Sequence, residues 1–237
     1  MDIKTFLLSF KPHFAQTTIP EKFRSGLAGG IGILLLALGL HYLPHATYPL
    51  VMLGSMAASA VLLFAVPHSP MAQPWNLVGG HLVSALAGWM CILFIPNQAL
   101  AAGAAVGSAI LLMQFLGCLH PPGAATALTL VLSRGQFHEM GWEWTSTIVA
   151  VNAGISLLLA LVINNLLPGR NYPMHPLHGQ QPPKPAPFIS LERSDLEWAL
   201  EQVGSVIDVS EEDLAEIYKL ALQRAQARTE KAYSSAK

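Results

Sequence analysis

A histidine followed by proline and small residues occurs at two places in the chain, each time directly after an apolar run. The first is His68-Ser69-Pro70 and the second is His120-Pro121-Pro122. The surrounding stretches, VLLFAVPHSPMAQ at 61–73 and MQFLGCLHPPGAA at 113–125, are similar enough to indicate an internal duplication, although two apolar helices can also resemble each other by coincidence. Because proline interrupts a helix, both places are predicted to be helix breaks.

A helix that restarts after such a break would offer a site for an anion. Proline is favoured in the first turn of a helix, so Pro70 or Pro74 and Pro122 can each begin a new helix. The first turn has free N–H groups and a partial positive charge, and both attract anions. Paired interrupted segments are also typical of transporter substrate sites. The two breaks are therefore predicted to form such a site.

The candidate substrate-binding residues flank the two breaks. They are His68, Ser69, Gln73, Asn76 and His81 at the first, and His120, Pro121, Pro122, Gly123, Ala124, Ala125 and Thr126 at the second. The small residues 123–125 would let a ligand approach the backbone closely. The polar side chains can donate hydrogen bonds, whereas cation transport normally uses an intramembrane Asp or Glu. The pattern favours an anion or a small neutral polar solute; alternatively, each histidine only bonds a neighbouring carbonyl and stabilises the fold.

The charge pattern predicts the elements that position these residues. No Asp, Glu, Lys or Arg lies between Ser25 and Ser133, or between Trp144 and Gly169. Such long uncharged runs do not form a water-exposed surface. A bilayer core needs about 20 mostly apolar residues per helix, and a spanning segment must satisfy its own backbone hydrogen bonds. We therefore predict an all-α, polytopic helical membrane protein with about five to six membrane segments and broken helices at HSP and HPP.

Five clear spans and one short apolar segment are expected. The spans cover residues 24–43, 48–66, 75–95, 100–119 and 145–167, the short segment covers 124–132, and a polar loop covers 133–144. On the first span, Gly26, Gly29, Gly30 and Gly32 form a small-residue face that is typical of close helix packing.

The positions of lysine and arginine predict the topology. Both flanks of the apolar region carry these residues, which places both termini in the cytoplasm. Two cytoplasmic termini require an even number of crossings, so the 124–132 segment is predicted to be a sixth crossing. If it is a re-entrant half-helix instead, the termini lie on opposite sides.

Composition divides the chain into four parts. Residues 1–23 form a cytoplasmic N-terminal segment, 24–168 the transmembrane domain, 169–189 a proline-rich linker and 190–237 a cytoplasmic helical tail. In the tail, Ser210 with Asp213 resembles a capping box that opens an amphipathic helix. The two cysteines, Cys91 and Cys118, fall in apolar spans and are interpreted as small core residues, not as a disulfide.

The strings LHPPGAATAL at 119–128 and PHSPMAQPWNLVGGHL at 67–82 resemble the HPP family of integral membrane proteins. The resemblance covers roughly residues 20–168. Family members in plants and cyanobacteria are associated with nitrite transport, so the resemblance implies a small monovalent anion as substrate. The family is usually described with four spans, fewer than expected here. Some bacterial members continue into nucleotide-sensing CBS domains after a helical linker that residues 190–228 resemble, but regulation by a bound nucleotide is not expected.

These observations predict a transporter or channel for a small monovalent anion, nitrite or a similar ion, in the cell (inner) membrane. The expected partners are the anion and the lipid bilayer, a homo-oligomer is left open, and nucleic acid is not expected because the net charge is −1. Neither a cofactor nor a metal is expected, and the protein is not expected to be an enzyme. The alternatives are a membrane scaffold for the C-terminal helices and an intramembrane metalloenzyme that uses His41 with His45 or Cys118 with His120. Proton coupling through His68, His81 or His120 and a passive channel are both left open.

Overall fold

The computed structural model describes residues 18–43 and 48–174, together with the isolated residues 2, 3, 10 and 218. The helices within these ranges are α1 (Ile19–Tyr42), α2 (Ser55–Ala65), a 3-10 turn (Pro70–Ala72), α3 (Pro74–Phe94), α4 (Gln98–Phe115), α5 (Pro121–Leu132) and α6 (Arg134–Leu166). The described ranges contain no β-strand. Helices α1, α3, α4 and α6 are long and apolar enough to cross a membrane, and α2 and α5 are shorter apolar helices. The predicted all-α, polytopic fold is therefore confirmed, whereas the C-terminal helices predicted at 190–237 lie, apart from residue 218, outside the described residues.

The helices run between two ends of a bundle, each marked by an arginine. At the Arg170 end, the guanidinium of Arg170 donates from Nε to Glu21 Oε1 at 3.0 Å and from Nη2 to Ser25 Oγ at 2.9 Å. This contact joins the first turns of α1 to the segment after α6. At the Arg134 end, Arg134 donates to the carbonyl oxygens of Ile95 at 2.9 Å and Pro96 at 3.1 Å, just beyond α3.

Side-chain contacts fix the direction of the remaining segments. The Tyr172 hydroxyl donates to the Ala72 carbonyl at 2.8 Å, so α3 begins at the Arg170 end. The Asn76 amide donates to the Leu119 carbonyl at 2.9 Å, so α5 begins near the start of α3. Segment 48–65 runs towards the Arg170 end, because Tyr48 lies near Glu139 and the carbonyl of Leu63 accepts from Asn164. Helices α1, α3 and α5 thus run one way and the other three segments run back, which is the arrangement that a six-crossing topology requires.

The second predicted span, 48–66, is helical only from Ser55 to Ala65. Within the non-helical residues 48–54, Asn152 of α6 bonds two backbone groups: its Nδ2 donates to the Val51 carbonyl at 2.9 Å and its Oδ1 accepts from the Leu53 N–H at 3.1 Å. The prediction of one continuous helix was wrong because these hydrogen bonds come from a residue about 100 positions away in the chain.

The fourth predicted span, 100–119, ends early, at Phe115. Gly117 takes a positive φ of 61°, its N–H donates to the Gln114 carbonyl, and the Cys118 N–H donates back to the Met113 carbonyl at 2.9 Å. These bonds form the Schellman ending of a helix, for which glycine is the favoured residue. The turn directs the chain back towards α3 at His120.

The polar loop predicted at 133–144 was also wrong, because the chain is helical from Arg134 and bends at Gly141, where φ is 76°. Phe137 and Met140 are buried although their neighbours are polar. Apolar residues three positions apart give a short helix one buried face, and this spacing is hidden in a segment of polar composition.

Of the four glycines predicted to allow close helix packing on α1, Gly32 does so and the other three do not. A Cβ added at Gly32 would lie 2.6 Å from the Phe64 ring, whereas one at Gly26, Gly29 or Gly30 would meet nothing within 4 Å. The tightest backbone approach joins α3 to α5. A Cβ at Gly88 would lie 2.7 Å from the Ala127 carbonyl oxygen.

Candidate functional site

Five buried polar side chains meet where α2, α3 and α5 pack together. They are Ser55 and Ser59 of α2, His81 of α3, His120 just before α5, and Thr126 of α5. Four of them have no exposed surface and Ser55 is 3 % exposed. We call these five residues the His–Ser–Thr cluster. It lies within the uncharged run of the sequence, so the helices that bear it contribute no ionised carboxylate or permanent cation.

Short hydrogen bonds connect all five residues. Ser59 Oγ lies 2.9 Å from His81 Nε2 and 3.0 Å from His120 Nε2. Thr126 Oγ1 lies 2.7 Å from His81 Nδ1 and 2.7 Å from Ser55 Oγ. The remaining ring nitrogen, His120 Nδ1, lies 2.8 Å from the carbonyl oxygen of Met71.

The Met71 carbonyl fixes the direction of these hydrogen bonds. A carbonyl only accepts, so His120 Nδ1 carries a hydrogen and, in the neutral ring, His120 Nε2 accepts from the Ser59 hydroxyl. Ser59 Oγ then accepts from His81 Nε2–H, which leaves His81 Nδ1 to accept from the Thr126 hydroxyl. Thr126 in turn accepts from Ser55. Every polar atom of the cluster is satisfied with both imidazoles neutral.

Close contact between α3 and α5 positions the two histidines. A Cβ added at Gly80 would lie 2.5 Å from His120 Cβ, so the glycine makes room for the His120 side chain beside α3. A Cβ at Gly123 would lie 2.7 Å from the Gly80 carbonyl oxygen and 2.9 Å from Ser84 Oγ. The small residue at 123 therefore allows α3 to pack closely against α5. The sequence had instead suggested that this residue lets a ligand approach the backbone.

The first turn of α5 has fewer free donors than a helix start usually offers. Proline at 121 and 122 has no N–H, and the Gly123 N–H already donates to the His120 carbonyl at 2.8 Å. The backbone of this helix start is therefore less suited to an anion than the sequence predicted. Among the neighbouring predicted residues, Pro122 is buried, Ala124 is half-buried, and Pro121 and Ala125 are exposed.

The two predicted helix breaks lie side by side. Besides the bond from His120 to Met71, Trp75 Nε1 donates to the Leu116 carbonyl at 3.1 Å. Pro70 begins the 3-10 turn and Pro74 begins α3, as the sequence indicated, while α5 begins at Pro121.

Apart from His68 and His81, the polar residues of the first break bond other groups. Gln73 Nε2 donates to the carbonyls of Pro67 and Ser69, Ser69 Oγ accepts from the Met71 N–H, and Asn76 bonds Leu119. These side chains stabilise the conformation of the loop between α2 and α3. Of the predicted polar residues, the structure brings His81, His120 and Thr126 together.

His68 lies near the ion pair at the Arg170 end. Its Nδ1 is buried and has no hydrogen-bond partner among the described residues. Burial lowers the pKa of His68, the charge of Arg170 lowers it further, and the charge of Glu21 opposes both. His68 is therefore held neutral near neutral pH.

Several functional candidates were missed by sequence reasoning. Ser55 and Ser59 stand one turn apart in the otherwise apolar SMAASAVLLFA, a signal that could have placed two hydroxyls on one helix face. Asn164 donates to the Leu63 carbonyl at 3.0 Å and accepts from Arg170 Nη1 at 3.0 Å. No local sequence pattern indicates this role of Asn164, because it depends on which residues the fold brings beside it.

Within the described ranges, no group of three or more His, Cys, Asp or Glu side chains is placed to hold a metal ion.

Comparison with known proteins agrees with this architecture. The family model for the HPP transmembrane region matches residues 15–173. A transmembrane protein of Dictyostelium discoideum is 43% identical over 154 residues, which is 63% of this chain and 53% of the relative. A second from the same organism is 44% identical over 155 residues, 63% of this chain and 49% of the relative, so the chain spans about half the length of these relatives. No solved structure matches the chain. Since the family match includes every helix described above, the chain belongs to the HPP family of multi-pass transmembrane proteins.

Proposed function

We propose that the protein is a transporter or channel for a small monovalent anion, nitrite or one of similar size, in a cell membrane with both termini on the cytoplasmic side. The observation that carries this proposal is the His–Ser–Thr cluster, in which two imidazoles and three hydroxyls are buried together between apolar helices. Buried polar groups inside a membrane bundle are costly, and they commonly mark the path of a solute. The resemblance to family members associated with nitrite transport supports the choice of anion.

The chemistry of the cluster suits an anion better than a cation. An anion in a low-dielectric interior must be hydrogen-bonded and its charge must be offset. Imidazole N–H groups and hydroxyls supply donors, and a protonated imidazole supplies the charge. No carboxylate lies on α2, α3 or α5 to bind a cation. The protein would move the anion across the membrane, with the anion and the lipid bilayer as partners and without enzymatic chemistry or a cofactor.

In the described conformation an anion must displace an existing hydrogen bond. Thr126 Oγ1 is bonded to both Ser55 and His81, and Ser59 Oγ to both histidines. Entry of the anion therefore requires the short helices α2 and α5 to separate at these hydroxyls. This conformation corresponds to the closed state of the site.

The test is anion uptake into liposomes that contain the purified full-length chain. Nitrite, nitrate, formate and chloride are compared with and without a pH gradient, for wild type and Thr126→Val, which keeps the side-chain shape but removes the hydroxyl. Uptake of the preferred anion should fall about tenfold, the effect of one buried hydrogen bond. Thr129→Val on the same helix is the control, because the Thr129 hydroxyl donates only within α5, to the Ala125 carbonyl at 2.7 Å.

Uptake by wild type and by Thr129→Val, with a loss in Thr126→Val, would support the proposal. If wild-type liposomes took up each of the four anions no faster than protein-free liposomes, the proposal would be wrong. The scaffold hypothesis, in which the membrane part anchors the C-terminal helices, would then be favoured.

A further inference from the structure

The two histidines of the cluster do not bond each other directly. Their rings are nearly edge to face, with centroids 5.0 Å apart, and the Nε2 atom of each points at the same hydroxyl, that of Ser59. A hydroxyl that accepts from one imidazole and donates to another can pass a proton between them. Ser59 thus completes a continuous line of hydrogen bonds from Thr126 through His81 and His120 to Met71.

We propose that Ser59 joins His81 and His120 into a proton-transfer path, and that anion passage through this protein is coupled to proton movement along it. This coupling rests on the proposed anion transport and adds the proton as the second transported ion. A path made of side chains in mutual contact needs no cavity or internal water. This suits a cluster whose polar atoms are all satisfied in the described conformation.

The transfer moves one proton and changes no oxidation state. A proton that reaches His81 Nδ1 by way of the Thr126 hydroxyl makes His81 an imidazolium. His81 then gives its Nε2 proton to Ser59 Oγ while Ser59 gives its own proton to His120 Nε2, so the positive charge moves to His120. His120 now carries hydrogens on both ring nitrogens, and its Nδ1 proton is the one that leaves, to water, at the Arg170 end.

The last step needs a change of conformation. The Met71 carbonyl accepts a hydrogen bond from His120 Nδ1 but does not keep a proton, so the bond must break before water can take it. After release, His81 bears its hydrogen on Nδ1 and His120 on Nε2, and both rings must return to the starting tautomers. One proton therefore passes for each rearrangement, which couples its movement to the opening that the anion requires.

The Ser59 hydroxyl has a second acceptor that can interrupt the path. Its oxygen lies 3.3 Å from the Ser55 carbonyl oxygen, one turn back along α2, compared with 3.0 Å from His120 Nε2. When its hydrogen turns to Ser55, the link to His120 is lost. The hydroxyl can thus connect or separate the histidines by rotation alone.

The elements packed around the cluster carry other titratable groups. Near the Arg170 end these include the Cys118 thiol beside Gly79, the Tyr172 hydroxyl at the Ala72 carbonyl, and His68 beside Glu21 and Arg170. Towards the Arg134 end they include Cys91 of α3 and His138 of α6. Helices α2, α3, α4 and α5 contribute no Asp, Glu, Lys or Arg, and the charged residues of α6 lie at the Arg134 end. A proton on His81 or His120 would therefore be the charge closest to an anion held there.

The experiment records anion uptake and internal pH together in liposomes of the full-length protein, with a trapped pH-sensitive dye and inward gradients of nitrite and of nitrate. The variants are Ser59→Ala and His120→Gln. Glutamine reproduces the neutral tautomer of His120, because its NH₂ can donate to Met71 and its oxygen can accept from Ser59, but it does not titrate. Ser108→Ala is the control, since Ser108 Oγ donates within α4, to the Ala104 carbonyl.

We expect wild type and Ser108→Ala to acidify the interior in proportion to the anion taken up. In Ser59→Ala and His120→Gln the ratio of protons to anions should fall by about a hundredfold, the lower end of what a positioned proton-transfer group contributes. A merely structural cluster would keep the wild-type ratio and pH profile in His120→Gln. That result, or anion uptake by wild type with no internal acidification, would overturn the path while leaving anion transport intact.

If wild type moves no anion, proton flux under an imposed potassium diffusion potential separates the two proposals. If wild type then conducts protons and Ser59→Ala does not, the proton-transfer path is supported and anion transport is rejected. Absence of proton flux in wild type would reject the path as well.

Discussion

Arg170 is the most deeply buried cation of the described chain, with its side chain 4 % exposed beside Glu21, which is 12 % exposed. Besides Glu21, the guanidinium donates to Asn164 and Ser25, so all of its partners come from the two helices whose ends it joins. A buried ion pair stabilises little over an apolar pair of the same shape, but removing one partner is costly. Removing one partner of this ion pair should therefore destabilise the protein more than replacing both partners with apolar residues.

We predict that Glu21→Gln lowers the free energy of unfolding by about 3 kcal/mol, because the Arg170 charge remains buried without its carboxylate. The double replacement of Glu21 by Leu and Arg170 by Met should recover most of that loss. Thermal unfolding of the purified protein in detergent measures both. Equal melting temperatures for wild type and Glu21→Gln would show that the ion pair does not hold α1 to α6.

His68 should make stability depend on pH. Its pKa is lowered in the folded protein, first by burial and then by Arg170, so below a pH of about 6.5 the unfolded chain binds a proton that the folded chain excludes. Stability is therefore lost as the pH falls from 7.5 to 5.5. His68→Gln should reduce this loss, as measured by melting temperature across that range; an identical pH dependence in the variant would contradict the assignment to His68.

The sequence predicted some of the individual residues of the candidate site. His81, His120 and Thr126 were found because they flank proline breaks, and proline acts through local geometry that a sequence displays. Ser55 and Ser59 were not found, because a serine in an apolar helix can equally bond its own backbone or line a helix contact. Whether its hydroxyl meets a histidine depends on which helix packs beside it.

At the scale of elements, the approach of α3 to α5 places His120 beside His81. Two glycines of α3, Gly80 and Gly88, face backbone or Cβ atoms of the α5 segment at distances that leave no room for a side chain. Small residues at such a contact let helices pack closely in a membrane. The geometry of the cluster therefore depends on positions that make no polar contact with it.

We predict that Gly88→Ala destabilises the protein, because the new Cβ would lie 2.7 Å from the Ala127 carbonyl oxygen and must force α3 and α5 apart. The control is Gly107→Ala on α4, where a Cβ meets nothing within 4 Å and alanine favours the helix by about 0.5–1 kcal/mol. Melting temperature should fall for the first and stay level or rise for the second. A fall of equal size in both would contradict the packing argument.

Element boundaries were predictable where local residues set them. Pro74 begins α3, and Asn97 caps α4 by accepting from the Leu100 N–H at 3.0 Å. The short length of α2 was not predictable, because Asn152 of α6 supplies hydrogen bonds to Val51 and Leu53 just before the helix. The apolar composition of that stretch predicts burial, but it does not distinguish a helix from an extended segment satisfied by a neighbour.

At the scale of the whole molecule, the helix directions predict which exposed residues share a membrane face. Cysteines placed at Lys22 and Asn171 should be labelled by an impermeant reagent from one side, and a cysteine at Gln136 from the other. The two native cysteines are buried, so they interfere little. Labelling of all three positions from the same side would contradict the six-crossing topology; the lysines and arginines at the chain ends favour the cytoplasm for the first pair.

The bond between Glu21 and Arg170 also implies that the helices could be connected in a different order along the chain and still form the same bundle. Because the start of α1 and the end of α6 lie side by side, a short linker could join residue 174 to residue 19 while the chain is opened between residues 43 and 48. Such a circular permutant would keep every helix contact described above but begin with α2 and end with α1. Its new termini would emerge at the Arg134 end, so a fusion partner attached there would be carried to the opposite side of the membrane.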